Sequence, residues 1–129
     1  HLIINREIKN GIMLKGRCKQ RYIFALPYKK IMLLGTTEER VNSPESLSVE
    51  THEIEYLLDS INFYLKDPIS KNEIVSSYAG VRPLIKSNKK SFVNSSRDFF
   101  IQNEGKLIAI YGGKWTTSPS IAREVVTII

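Results

Sequence analysis

The apolar positions fall into short runs of β type at both ends of one segment with a helical period. Leu2–Ile4, 12–14, 21–26 and 31–36 are brief stretches rich in Ile, Leu, Phe and Tyr, and each predicts a strand. Asn10-Gly11 predicts a hairpin turn between the first two, because both residues tolerate positive φ. Pro27-Tyr28-Lys29-Lys30 predicts a tight connection between the next two. Residues 41–50 are polar and contain Asn42-Ser43-Pro44, a loop pattern. Thr51 is then a candidate N-cap, with Glu53 and Glu55 placing negative charge in the first turn. Ile54, Leu57, Leu58, Ile61 and Leu65 recur at the spacing of one buried helical stripe, and Pro68 ends it.

The pattern then returns to strands. Residues 74–81 predict one, ending at Gly80-Val81-Arg82-Pro83, and a polar loop follows at 86–96. Residues 97–101 predict another, with Asn103-Glu104-Gly105 turning into 107–111. Ser118 is a candidate N-cap for a last helix with Pro119 at its first position, and Ile121, Val125, Val126 and Ile129 line one side. The expected class is α+β: a mostly antiparallel or mixed sheet, one long amphipathic helix and a C-terminal helix.

Composition narrows the reading. At 129 residues and 42% hydrophobic, the chain is one domain's length and can bury a core. No apolar run nears the roughly 20 residues of a membrane-spanning helix, and no signal-peptide pattern occurs. A lone cysteine, Cys18, excludes a disulfide within the chain and makes a reducing, cytoplasmic setting the expectation. The formal charge of +6 is compatible with nucleic acid, an anionic membrane surface or an anionic small ligand. The basic residues nevertheless form no run of five and are not interleaved with aromatics, so a solvated basic surface is expected and nucleic acid is not.

Three segments could carry chemistry. Gly112-Gly113-Lys114-Trp115-Thr116-Thr117 joins a strand to a helix; its glycines allow close backbone approach, and Lys114 adds a charge suited to a phosphate or to a cofactor that becomes anionic on reduction. The same residues also make an ordinary turn. Arg82 sits between Val81 and Pro83, where its planar fork suits a carboxylate or phosphate; a surface ion pair with Glu73 or Asp98 is the plainer alternative. Arg97, at the start of the next predicted strand, could join Arg82 on one dianion. His1 and His52 are the only histidines, and neither has metal-ligand spacing, so no metal is expected.

Taken in order, His1-Leu2-Ile3-Ile4, Phe24-Ala25-Leu26-Pro27-Tyr28, Leu34-Gly35-Thr36-Thr37-Glu38, Glu53-Ile54-Glu55-Tyr56-Leu57-Leu58, Ile74 through Leu84, Ser96-Arg97-Asp98 and Gly112-Gly113-Lys114-Trp115-Thr116-Thr117 resemble the C-terminal part of the FAD-dependent, respiratory glycerol-3-phosphate dehydrogenases. The resemblance covers nearly the whole chain. It implies a fragment of an FAD-dependent oxidoreductase, with residues 1–104 a portion of the substrate (cap) domain and 105–129 the terminal strand and helix of the FAD-binding domain. It implies that Arg82 and Arg97 bind the substrate phosphate. Gly112, Gly113, Lys114, Thr116 and Thr117 would line the flavin, and His1 and Lys114 would be catalytic, His1 as proton acceptor. The implied substrate is sn-glycerol 3-phosphate, oxidised to dihydroxyacetone phosphate, with quinone or another electron acceptor and a peripheral place on the inner face of the cytoplasmic membrane for the parent enzyme. The family's G-x-G-x-x-G fingerprint is absent here, so the chain alone is expected neither to hold FAD tightly nor to turn over substrate. Trp115, Ser118-Pro119 and Glu38 depart from the family's usual leucine, tyrosine-arginine and aspartate. Three other readings stay open: a stand-alone basic α+β module for nucleic acid or a protein partner, a fragment that self-associates through exposed apolar surface, and an oxidase of the same superfamily.

Overall fold

A computed structural model of the 129-residue chain describes residues 1–17, 21–45, 47–82 and 99–129. Cys18, Arg97 and the predicted polar loop 86–96 lie outside the described residues, as does the start of the strand predicted at 97–101. The chain divides into two compact units, His1–Val81 and Arg82–Ile129. The expected α+β class, with antiparallel sheets, an amphipathic helix and a C-terminal helix, is what forms.

The first unit is a five-stranded sheet backed by one helix. Its strands are β1 (Leu2–Ile4), β2 (Ile12–Lys15), β3 (Tyr22–Tyr28), β4 (Ile31–Gly35) and β5 (Ile74–Ser77), in the order β2-β3-β4-β1-β5, with every neighbouring pair antiparallel. The hairpin expected at Asn10-Gly11 does not occur: β1 pairs with β4 and β5, and β2 pairs with β3. The reason lies in what each strand must bury. Leu2 and Ile4 are fully buried, which suits an interior strand, whereas Ile12 and Met13 are exposed on an edge. The turn at Lys29-Lys30 does form, with Lys29 at φ 55°, and β3 runs on through Pro27 and Tyr28 to reach it.

Helix α1 (Thr51–Asn62) lays Leu57, Leu58 and Ile61 on one face of the sheet, against Leu2, Ile4, Ile23, Ala25, Met32 and Leu34. These buried side chains, with Ile69, form the core of the unit. The N-cap is Glu50 rather than Thr51, because the Glu53 carboxylate accepts the Glu50 N–H at 3.0 Å and draws the helix start back one residue. The helix also ends well before Pro68. The Asn62 side chain donates to Ile69 O at 2.9 Å and accepts from Ile69 N–H at 2.8 Å, and this two-way clamp folds the chain back so that Ile69 enters the core. Arg6 closes the end of β1. Its guanidinium donates to both Glu73 carboxylate oxygens at 3.0 and 3.1 Å and to the carbonyls of Asp67 and Pro68 at 2.7 and 3.2 Å.

The other face of the sheet carries Met13, Tyr22, Phe24 and Leu26, all exposed. Strand alternation explains it, since Ile23 and Ala25 of the same strand point the opposite way. The second unit is a hairpin, β6 (Phe99–Asn103) and β7 (Ile108–Gly112), followed by a 3-10 turn at Trp115–Thr117 and helix α2 (Ser118–Val126). Gly105, at φ 75°, makes the expected turn between the strands. Helix α2 starts one residue early, with Thr117 as N-cap instead of Ser118. The apolar side expected of it is mostly exposed: Ile121 is buried, but Val126 and Ile129 are not.

Two outcomes are expected. Leu57→Ala should lower the stability of the first unit by about 2–5 kcal/mol, because it empties a fully buried position, while Val75→Thr on the exposed surface should stay within about 0.5 kcal/mol; urea denaturation reads both. The Ser70 N–H, then Arg6, hold the Glu73 carboxyl below its ordinary value of 4.5, and Lys71 does the same for Glu55. A depressed carboxylate stabilises above its unfolded value, so stability should fall as pH drops below about 4.5, and Glu73→Gln should flatten part of that fall.

Candidate functional site

In the second unit the strand-to-helix loop has the backbone its sequence calls for. Gly112 and Gly113 are both left-handed, at φ 77° and 85°. Such geometry is rare for residues with a side chain, so the glycines are conformationally required. Gly113 is required a second time by packing: a Cβ there would lie 2.7 Å from Ile121 Cδ1 of α2. The chain then enters the 3-10 turn, where Thr117 closes a ring on Lys114. The Thr117 hydroxyl donates to Lys114 O at 3.0 Å and accepts the Lys114 N–H at 3.2 Å, and the Thr117 N–H also donates to Lys114 O. With its hydroxyl turned back, Thr117 gives α2 no side-chain cap. The result is a rigid elbow that leaves the Lys114 and Thr116 side chains and, most of all, Trp115 at 93% exposure in solvent.

His1, in the first unit, lies one residue beyond Leu2 and therefore faces away from α1. It extends the β1–β5 ladder: its amino nitrogen donates to Tyr78 O at 2.9 Å, and Tyr78 N–H donates to His1 O at 3.0 Å. The imidazole stacks on the Tyr78 ring, with centroids 4.9 Å apart and planes 5° from parallel. It also passes over Gly35, the last residue of β4.

The elbow brings Gly112, Gly113, Lys114, Thr116 and Thr117 together within one unit, while His1 belongs to the other. Arg82 opens the second unit, and Arg97 lies outside the described residues. Glu73, one of the acidic residues considered for Arg82, is bonded to Arg6 through both carboxylate oxygens. His52 is exposed and lies 3.8 Å from Glu39. Among the described residues no cluster of His, Cys, Asp or Glu could hold a metal ion. Gly35 and Tyr78 lie in two of the segments that carry the resemblance, Leu34 to Glu38 and Ile74 to Leu84, but nothing in the sequence placed them beside His1. Only the position of β1 between β4 and β5 brings them to His1, and no local pattern announces that pairing.

A model of the FAD dependent oxidoreductase family matches residues 3–128. The chain is 36% identical over 110 residues to a probable mitochondrial glycerol-3-phosphate dehydrogenase of Caenorhabditis elegans, covering 82% of this chain and 15% of that protein. It is 35% identical over 119 residues to a mitochondrial glycerol-3-phosphate dehydrogenase of Arabidopsis thaliana, covering 90% and 19%. It is 32% identical over 131 residues to the aerobic glycerol-3-phosphate dehydrogenase of Escherichia coli strain K12, covering 95% and 26%. The chain thus spans about a quarter or less of the length of these curated relatives.

Gly113→Ala should destabilise the second unit more than Gly105→Ala. Both residues are left-handed, but an added Cβ at 105 meets nothing within 4 Å, whereas at 113 it meets Ile121. Strain alone costs about 1–3 kcal/mol. Faster amide exchange in β7 and α2 should therefore be seen in both variants, and more strongly in Gly113→Ala.

Proposed function

This chain belongs to the FAD-dependent oxidoreductase family, and we propose that it is the portion of a glycerol-3-phosphate dehydrogenase that binds substrate and borders the flavin. The reading rests chiefly on one observation: relatives named for that activity match 82–95% of the chain. In it, residues 1–104 are cap-domain sequence and 105–129 the last strand and helix of the FAD-binding domain.

The residues suit the chemistry of sn-glycerol 3-phosphate oxidation to dihydroxyacetone phosphate. Bound FAD would supply the hydride-accepting ring. Two successive left-handed glycines let the backbone approach a flat ring system closely, and the exposed Lys114 beside them offers positive charge where a reduced flavin becomes anionic. Thr116 and Thr117 frame the same loop, Thr117 by holding Lys114's backbone. Arg82 and Arg97 are the phosphate ligands in this account; a guanidinium pair fits a dianion and fixes the distance from phosphate to the reacting carbon. His1 accepts the hydroxyl proton. The electron acceptor is a quinone or oxygen, and the enzyme works peripherally at a membrane face; among the described residues no helix is long and apolar enough to cross one. The exposed Met13, Tyr22, Phe24 and Leu26 are where the rest of the longer polypeptide packs, and in its absence the same face favours self-association.

Two measurements test this. The 129-residue chain should purify without flavin colour and without turnover, since nothing in it resembles a pyrophosphate-binding fingerprint; a yellow protein would contradict that. In the complete polypeptide to which the chain belongs, Arg82→Met should raise KM for glycerol 3-phosphate about 10–100-fold, the value of a charge-assisted hydrogen bond of about 1.5–3 kcal/mol. An unchanged KM would remove Arg82 from the phosphate site.

A further inference from the structure

The His1 imidazole sits in a seat made by Tyr78 and Gly35, two residues far from it in sequence. We propose that Tyr78 and Gly35 are positioning residues for His1, Tyr78 by stacking on its ring and Gly35 by leaving the room the ring occupies. A histidine at a strand end on an open sheet face would ordinarily sample several rotamers. Here its ring lies parallel to Tyr78, with centroids 4.9 Å apart. Tyr78 is not a loose neighbour, because its own N–H and C=O are bonded to the C=O and amino nitrogen of His1. Stacking partner and stacked ring are thus fixed to each other through the backbone.

Gly35 supplies the second constraint. A Cβ there would stand 2.3 Å from Cδ2, 2.7 Å from Nε2 and 2.9 Å from Cγ of the imidazole. All three distances are shorter than any real contact, so the ring could not stay where it is. Gly35 is not among the left-handed glycines, so its backbone does not require glycine; the space does. It is buried, and its β3 partner is Phe24, on the same face as His1. β1 therefore carries His1 between a flat aromatic wall from β5 and a side-chain-free gap in β4. Such a seat orients the imidazole before any substrate arrives, which is the form of preorganisation that proton transfer needs. The catalytic consequence rests on the proposed role of His1 as proton acceptor; the seat itself does not.

The test is NMR of the 129-residue chain labelled at histidine. The His1 ring protons should show the upfield displacement of a stacked ring, cross-peaks to Tyr78 and to the Gly35 α-protons, and a χ1-dependent coupling of a single rotamer. Tyr78→Phe should keep all of these. Tyr78→Leu, which keeps the backbone ladder and the apolar bulk, should average the coupling, and Gly35→Ala should abolish the Gly35-side contacts and move the ring. Leu2 and Leu34 amide signals report whether β1–β4 pairing survives in each variant. A single His1 rotamer in Tyr78→Leu, or an unmoved ring in Gly35→Ala, with those amides intact, would overturn the proposal. In the complete polypeptide, Tyr78→Leu should lower kcat about tenfold with KM nearly unchanged, and Tyr78→Phe should restore it. Averaging by NMR with undiminished kcat would contradict the proton-acceptor role of His1 while leaving the seat in place.

Discussion

Everything in the first unit hangs on the double pairing of β1. This three-residue strand bonds to β4 on one side and β5 on the other, and it is what joins the N-terminal hairpins to the segment that follows α1. Its alternation does two jobs at once. Leu2 and Ile4 fill the core beneath α1, and His1 is thereby turned to the opposite face. A register slip of one residue would exchange those roles, burying an imidazole and exposing the leucine. The buried pair Leu2 and Ile4, fully out of water, makes such a slip costly, so the packing of the core and the aim of the histidine are one constraint.

The ends of β1 are secured differently. At one end Arg6 gathers Glu73 and two carbonyls of the 67–68 bend, so that β5 begins where β1 finishes. At the other, His1 and Tyr78 exchange two backbone hydrogen bonds and stack. The second unit is organised on another principle. It has little core of its own, with Ile121 its one buried apolar side chain among the described residues, and its shape comes from backbone conformation: two left-handed glycines, a 3-10 turn and the Thr117 ring on Lys114. Such an element holds a local geometry through its backbone and exposes much apolar surface.

Much of this was legible in the residues. The turns at Lys29-Lys30 and Gly105 and the glycine elbow are local signals, and each formed, as did the helical stripe from Ile54 to Ile61, while Leu65, its expected last member, falls beyond the helix end. What was not legible is non-local. Asn10-Gly11 has the chemistry of a hairpin turn, yet burial of Leu2 and Ile4 sends β1 to partners some thirty and seventy residues away. The cap of α1 moved for a local reason: the Glu53 carboxylate takes the Glu50 N–H and starts the helix before Thr51. In the candidate site, the glycines and Lys114 could be read from spacing, but Tyr78 and Gly35 could not, because they meet His1 only through the sheet order.

The central claim is that these surfaces serve flavin-dependent oxidation of a phosphorylated alcohol. Its most direct test is anaerobic addition of substrate to the complete flavin-loaded polypeptide, watching the visible absorption of the oxidised flavin. sn-Glycerol 3-phosphate should bleach it, and glycerol at the same concentration should not. Bleaching by a D-amino acid instead, or by neither compound, would contradict the account.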